Sequence, residues 1–397
     1  MRPENYPDIA RRIETDRFGP FTFQTGVAAN GLELALRRVE DAHERFTASP
    51  LAQVSTRLEK EVVVSSVFGT NTIEGGTLTE DETADALALG PAQTREVEQQ
   101  RALNIKAAYD LSQAAAGTPG WTLTVPFIAD LHRLVTRDVP HSDNRPGQLR
   151  DTPKGCVTVV GDEAHGGRYR PPQYGGDVQC LLDALIGWHG ALEAEGVPVL
   201  VRAPLAHLYF EWIHPFWDGN GRVGRIIEAT LLQAAGYRYA PFALARYYLE
   251  NIDTYFTLFN TCRKAADGKQ PAPNQAFAAF HLEGMRQTIH GLHNRVNRMV
   301  NLLLYESDIR RALDEKRINA RQYTLLSHLL ERGALPLDEI RRAPWYASLY
   351  LKLNDKTRQR DLHGLREAEL VFLDTGNMLW PGCIKPTNIK PLGRSTS

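Results

Sequence analysis

Ile213-His214-Pro215-Phe216-Trp217-Asp218-Gly219-Asn220-Gly221-Arg222-Val223-Gly224-Arg225 is the stretch around which this chain is organised. It places a titratable base, a carboxylate, a two-glycine turn and two arginines within twelve residues, His214 to Arg225. An apolar run, Ile226 to Leu232, follows at helical spacing. Glycines at 219 and 221 let the backbone aim its amides at an anion without steric cost. A helix beginning near Arg222 would add free N–H groups and a positive dipole end at the same place. Arg222 and Arg225, three apart, share a face of that helix and can fork onto phosphate oxygens. One acid, Asp218, suits a magnesium ion that takes its other ligands from water and phosphate. The residues together call for a phosphorylated, metal-bound ligand with a base beside it.

The stretch resembles the signature of the Fic family, His-x-Phe-x-Asp/Glu-Gly-Asn-Gly-Arg-x-x-Arg, with every specified position filled. The resemblance implies transfer of AMP from ATP to a hydroxyl of a target protein. His214 would then be the general base and Asp218 the Mg2+ ligand. Gly219, Asn220 and Gly221 would cradle the α- and β-phosphates, Arg222 and Arg225 would hold the outer ones, and Phe216 would anchor the loop in the core.

Composition sets the frame. With 397 residues, 43% apolar and 23% charged, the chain is long enough for two or three domains of ordinary soluble type. A net charge of −1 gives no whole-chain field favouring nucleic acid or an anionic membrane. Cys156, Cys180, Cys262 and Cys383 lie far apart and are expected to be buried, reduced thiols. No signal peptide or apolar run of membrane-spanning length is visible, so the expected place is the cytoplasm, with no membrane partner.

Residues 1 to about 27 read as polar and irregular. Helices are expected from Gly31 to Phe46 and from Val54 to about Phe68. Thr70-Asn71-Thr72-Ile73-Glu74-Gly75 follows, and by itself it is a helix-ending cap and turn. It also resembles the family's inhibitory motif, Ser/Thr-x-x-x-Glu-Gly/Asn, at Thr70, Glu74 and Gly75. That resemblance implies a Glu74–Arg225 pair in which the carboxylate takes the place of the γ-phosphate. Thr79 to Glu82 then reads as an N-cap with an acidic first turn, opening a helix near Thr83. Further helices are expected from Glu96 to Ala115 and from Pro126 to Asp138, with His132 on the surface or at a cap.

The segment Asn144 to Arg150 leads into Cys156-Val157-Thr158-Val159-Val160-Gly161, and Arg168-Tyr169-Arg170 lies beyond a glycine-rich loop. This is the only convincing hairpin in the chain, and its plain reading is an exposed β-ribbon of structural use. It resembles the Fic flap, at about 156–170, whose edge holds the target segment by strand addition. Helices from Gly175 to Glu195 and from Val199 to Ile213 follow. His207, Glu211 and His214 have spacings that can make a metal site, but Pro215 breaks the helix beside His214. Gly219 to Gly224 also satisfies Gly-x-Gly-x-x-Gly. The helical periodicity before it and the lack of a βαβ pattern exclude a dinucleotide fold. Pro241 to Leu249 reads as a connector. A helix from Ile252 to about Lys264 carries Tyr255, which by its place after the motif resembles an aromatic beside the adenine. A long helix is expected from Gln275 to about Ala312.

Residues 319 to 381 look like a small separate domain. Its helices are marked by Leu325 to Leu330, Leu337 to Arg341 and Lys356 to Leu365. The hairpin 371–380 resembles the wing of a winged helix. Residues 309–370 hold 13 lysines and arginines against 9 acids, a net of +4, which permits DNA binding without demanding it. A protein-interaction module is the equal alternative. The tail beyond Gly382 is expected to be loose.

The expected architecture is therefore mainly α. A Fic-type helical core with a β-hairpin flap is joined to a C-terminal winged helix-turn-helix domain, divided as 1–115, 116–306 and 307–397. The expected function is an adenylyltransferase using ATP and Mg2+, autoinhibited by Glu74. Its target would be a separate protein or the chain itself, and a homodimer is allowed. The alternatives are removal of AMP from modified proteins and a nucleotide-sensing transcription regulator. A related branch that phosphorylates its target carries Lys where Gly221 stands here, which argues against that reading.

Overall fold

The computed structural model describes residues 8–391 apart from 90–92, 94–95 and 142–144, and it is mainly helical. Asn144, the start of the segment leading to the flap, lies outside the described residues. The chain divides into two compact units: residues 1–51 with 55–293, and residues 52–54 with 294–397. No helix among the described residues is long and apolar enough to cross a membrane.

The first unit opens on a hairpin of β1 (Ala10–Glu14) and β2 (Pro20–Gln24), with Ile13 opposite Phe21 and Arg11 opposite Phe23. The expectation of an irregular start is thus corrected. The alternation in Pro20-Phe21-Thr22-Phe23-Gln24 turns both phenylalanines inward. There Phe23 lies 5.7 Å from the ring of Trp188 and 5.1 Å from that of Tyr209. Such a pattern is too short to read without those partners. Helix α1 (Ala29–Thr47) precedes α2 (Ser55–Ile73). Helix α2 runs past Phe68, so the Thr/Asn cluster forms its last turn, and Gly75 closes it at φ +80°. The next helix, α3 (Glu80–Ala88), begins earlier than expected. Thr79 is its N-cap, accepting the Glu82 N–H at 3.2 Å while the Glu82 carboxylate accepts the Thr79 N–H at 2.8 Å.

Helices α4 (Val97–Ala116) and α5 (Val125–Thr136) lead to the flap, β3 (Val160–Asp162) and β4 (Gly167–Tyr169). The flap is a real antiparallel pair, shorter than its apolar pattern suggests. Helices α6 (Gly175–Ala194), α7 (Val199–Ile213) and α8 (Asn220–Ala234) follow. Helix α7 is apolar on all sides, which places it at the centre of the core, with α6 and α8 against it. The expected connector at 241–249 is instead helix α9 (Ala240–Glu250), a second correction. Pro241 sits in its first turn, where a missing N–H costs nothing, and the helix packs along α2. Helix α10 (Ile252–Asp267) completes the site-bearing part. Helix α11 (Gln275–Asp314) contributes its residues up to His293 to the first unit and the rest to the second.

In the second unit, α12 (Ala320–Arg332), β5 (Leu335–Pro336), α13 (Leu337–Arg342), α14 (Pro344–Leu349), α15 (Asp355–Glu367), β6 (Val371–Leu373) and β7 (Met378–Pro381) follow in order. The sheet order is β5-β7-β6. Leu326, Leu329, Ile340, Leu365 and Val371 fill its core. The three helices and the hairpin expected at 319–381 are present. The tail is not loose where it is described. Asp374 bridges Ile389, and Lys390 donates its N–H to the Leu373 carbonyl at 2.7 Å.

All four cysteines are free, but Cys156 and Cys180 are exposed, which corrects the expectation of burial. Cys156 lies in the loop before the flap, and Cys180 faces outward on α6.

Candidate active site

The loop from His214 to Gly219 is held in shape by its own chain. Helix α7 stops at His214, whose φ of +48° is left-handed, and Pro215 cannot continue the helix. The buried Phe216 is bracketed by Asn220: its N–H donates to Asn220 Oδ1 at 2.9 Å, and Asn220 Nδ2 donates to its carbonyl at 2.8 Å. Gly219 takes φ +82° and leads into α8, which begins at Asn220, two residues before the expected start. The Asn220 side chain is thus engaged within the loop, and any phosphate cradle here is made of backbone N–H groups.

Two residues outside the motif set this loop, and neither was singled out as functional in the sequence. His132, expected at the surface or at a cap, is fully buried and stacks on Phe216 at 3.7 Å and 2°. Its Nδ1 accepts the Gly147 N–H at 2.9 Å, so Nε2 carries the proton and donates to the Asp218 carbonyl at 3.0 Å. Arg150 is also buried. Its guanidinium donates to the His214 carbonyl at 3.1 and 3.0 Å, to the Pro172 carbonyl at 2.6 Å and to Thr152 Oγ1 at 2.8 Å. Its backbone N–H donates to the Pro215 carbonyl at 2.8 Å. Burial lowers its pKa to about 10, which still leaves it charged. An apolar helix face around His132 was the only hint for the one. A lone arginine before the flap gave no sign of the other.

A cavity of about 330 Å³ opens beside the loop. Glu74, Glu211, His214, Gly221, Arg225 and Tyr255 line it, under the flap residues Val160 and Gly161. His214 is held neutral: burial, with Arg150 nearby, lowers its pKa to about 4. A neutral imidazole can accept a proton.

The structure brings Glu74 to Arg225. Glu74 Oε1 accepts from Arg225 Nη2 at 2.7 Å, and the same nitrogen lies 3.3 Å from the Thr70 carbonyl. Thr70 Oγ1 is bonded to the Tyr109 hydroxyl at 3.1 Å, tying the last turn of α2 to α4. A Cβ at position 221 would stand 2.2 Å from Glu74 Oε1, so only glycine leaves room for that carboxylate. Burial opposes the charge on Arg225, but Tyr255 and Glu74 more than offset it, and its pKa is raised.

Behind Arg225 stands a buried polar chain. Arg225 Nη1 donates to the Tyr255 hydroxyl at 3.3 Å, and that hydroxyl donates to His207 Nε2 at 3.0 Å. His207 Nδ1 in turn donates to Glu228 at 2.9 Å, and Glu228 also receives Tyr248 at 2.9 Å and His281 at 2.7 Å. Burial works against the Glu228 charge, but His281 and His207 overcome it and hold its pKa well below the carboxylate range. Both ring nitrogens of His207 are therefore taken, which separates it from the spacing it shares with Glu211 and His214. Tyr255 lines the cavity, but its hydroxyl serves Arg225.

Arg222 donates to Asp218 Oδ2 at 2.6 Å and to the Val135 carbonyl at 3.3 Å. The Nε groups of Arg222 and Arg225 are buried with no partner among the described residues. Burial opposes the Asp218 charge, but Arg222 keeps its pKa low, and its side chain is 30% exposed. A hard cation fits such a carboxylate only with phosphate or water as further ligands. Among the described residues no group of three or more His, Cys, Asp or Glu could hold a metal alone.

Residues 122–232 match the Fic/DOC family model. The chain is 28% identical over 183 residues to the protein adenylyltransferase Fic of Culex quinquefasciatus, covering 46% of this chain and 34% of that one. It is 24% identical over 208 residues to the protein adenylyltransferase fic-1 of Caenorhabditis elegans, covering 51% and 38%. The chain thus spans about a third of the length of such relatives. The fold is shared with a Fic domain containing signaling protein from Bacteroides thetaiotaomicron, at TM-score 0.54 and 18% identity over 66% of this chain and 97% of that one. It is also shared with a Fic family protein from Desulfovibrio desulfuricans, at TM-score 0.54 and 18% identity over 88% and 95%.

Proposed function

We propose that this chain, whose residues 122–232 are a Fic/DOC family domain, moves AMP from ATP to a hydroxyl side chain of a target protein and is autoinhibited by Glu74. The observation that carries this reading is one cavity holding a neutral His214, the glycine loop and Arg225, with Glu74 already seated on that arginine. His214 takes the proton of the target hydroxyl as its oxygen attacks the α-phosphorus. The bond from that phosphorus to the bridging oxygen breaks, and pyrophosphate leaves. The N–H groups opening α8 face the phosphates, and Arg222 and Arg225 neutralise the outgoing charge. Asp218 would hold Mg2+ together with those phosphates, and the ion would supply further charge neutralisation on the leaving group. The seated Glu74 competes with the γ-phosphate for one guanidinium, which is the basis of the autoinhibition.

The flap suits a target held by strand addition. Val157 and Val159, just before β3, are exposed apolar residues, and the β3–β4 sheet has no third strand among the described residues. We read the second unit as a winged helix that binds either DNA or a protein partner; its helices and hairpin support that reading.

The test is incubation of the full chain with ATP labelled at the α-phosphate and Mg2+. Glu74→Gly should put label on protein, and adding His214→Ala should abolish it. No label from Glu74→Gly with ATP, UTP, GTP or CTP would overturn the proposal. Release of AMP from a modified target by the unaltered chain would instead assign the reverse reaction.

A further inference from the structure

We propose that Glu211 is the positioning residue for His214, accepting a hydrogen bond from its Nδ1–H so that Nε2 is the nitrogen left to act as base. The proposal deepens the reading above and rests on His214 being that base.

Glu211 lies one turn before His214 on α7, and its Oε2 is 3.8 Å from His214 Nδ1. That is too long for a hydrogen bond. Yet His214 Nδ1 and Glu211 Oε1 are both buried, and neither has a partner among the described residues. Two orphaned polar groups in one pocket, on neighbouring side chains, form an unmade contact at a place where buried groups are normally paired. Arg150 holds the His214 backbone carbonyl, and the other acceptor beside the ring is the backbone carbonyl of Glu211 itself, one turn back on α7. Only a change in the Glu211 side-chain torsions is needed to close the gap. The space is reserved by Gly224, where a Cβ would stand 2.6 Å from Glu211 Oε1.

The state of the cavity explains why the contact is open. Glu74 reaches in from α2 and faces Glu211, while Arg225 on α8 is already engaged by Glu74. Tyr255 from α10 lines the same wall, and Arg150 and Asp218 act on His214 from the other side. Burial, then the Glu74 charge, raises the Glu211 carboxyl to about 8, so the resting group is a neutral acid and a poor acceptor. Removing Glu74 takes away the opposing charge. The Glu211 carboxyl then accepts from Nδ1 and fixes the tautomer, and with Glu74 gone and Arg225 free it ionises opposite the imidazolium formed when His214 takes the target's proton. Glu74 in this way holds back the base as well as the nucleotide.

The experiment uses the full chain with 15N-labelled histidine, free of nucleotide. His214 is assigned by the signal lost in His214→Ala. In Glu74→Gly, His214 is expected to hold its proton on Nδ1, and adding Glu211→Ala should abolish that preference. In AMP transfer, Glu74→Gly/Glu211→Gln should lose about 10- to 100-fold in kcat with the KM for ATP little changed. Its acid limb should move to lower pH, and Glu211→Asp should restore part of the rate. A merely structural Glu211 would lower the melting temperature and leave tautomer and acid limb unmoved, which overturns the proposal. A rise in the KM for ATP with kcat kept would overturn it too, assigning Glu211 to Arg225 instead. If Glu74→Gly transfers nothing, the base reading fails, while the tautomer still decides whether Glu211 engages His214.

Discussion

Glu74 and Arg225 meet at 2.7 Å across 151 residues of sequence, and the remaining donors of that guanidinium are turned to Tyr255 and Thr70 or left without a partner among the described residues. The contact joins the end of α2 to the first turns of α8. It puts a carboxylate on the group that the family resemblance assigns to an outer phosphate.

Removing that carboxylate should release activity. A buried pair of this kind costs about 3 kcal/mol to break, which corresponds to a rise of about 10²-fold in transfer rate for Glu74→Gly at subsaturating ATP. The measurement is incorporation of label per minute, with and without the substitution. An unchanged rate would show that Glu74 does not limit nucleotide entry.

Arg150 should matter more for the site than its distance from the motif in sequence suggests. Arg150→Ala leaves the carbonyls of His214 and Pro172 buried and unpaired, a loss of about 2–4 kcal/mol seen as a lower denaturant midpoint. Arg150→Lys should not rescue it, because an ammonium cannot fork onto two carbonyls and a hydroxyl at once. Equal midpoints for the Arg150→Lys variant and the native chain would refute the clamp.

Glu228 anchors the chain of contacts behind Arg225. Glu228→Ala leaves His207, His281 and Tyr248 without their shared acceptor, at about 3–5 kcal/mol. Thermal unfolding should show the loss. Nucleotide affinity measured in the Glu74→Gly background should fall with it, since His207, which holds the Tyr255 hydroxyl behind Arg225, loses the acceptor of its Nδ1–H.

The flap should be tied down by pH. His165 Nδ1 meets Asp162 at 2.9 Å and Nε2 meets Asp253 at 3.3 Å, and these carboxylates raise its pKa. A raised folded value means that the stabilisation is complete below the unfolded value of about 6.5 and is lost as pH climbs through the folded one. Amide exchange in residues 160–169, corrected for its intrinsic pH dependence, should therefore show stronger protection at the acid end of that window. Asp253→Asn should flatten the dependence.

Much of the site was legible because its residues are contiguous. His214, Asp218, Gly219, Asn220, Gly221, Arg222 and Arg225 stand in one loop and one helix start, and the local rules for turns, caps and helix faces apply to them directly. Glu74 was visible as a motif, and its partner could be named only through the family pattern. The hairpin at residues 10–24 was missed because the sequence pattern does not include Trp188 and Tyr209, against which its two phenylalanines pack. Helix α9 was missed because Pro241 reads as a break unless it falls in a first turn.

The sequence by itself determined which side chains stand together at the loop, the helical character of the chain and the cap at Thr79, since each depends on neighbours within a few residues. The tertiary structure alone decided that Arg150 and His132 hold the loop and that the Glu211 carboxyl stands 3.8 Å from the His214 imidazole nitrogen. It also decided that Glu228 gathers two histidines and a tyrosine. These are contacts between side chains brought from distant elements. Their partners are selected by packing and by the cost of leaving a buried polar group alone, and no local pattern encodes either.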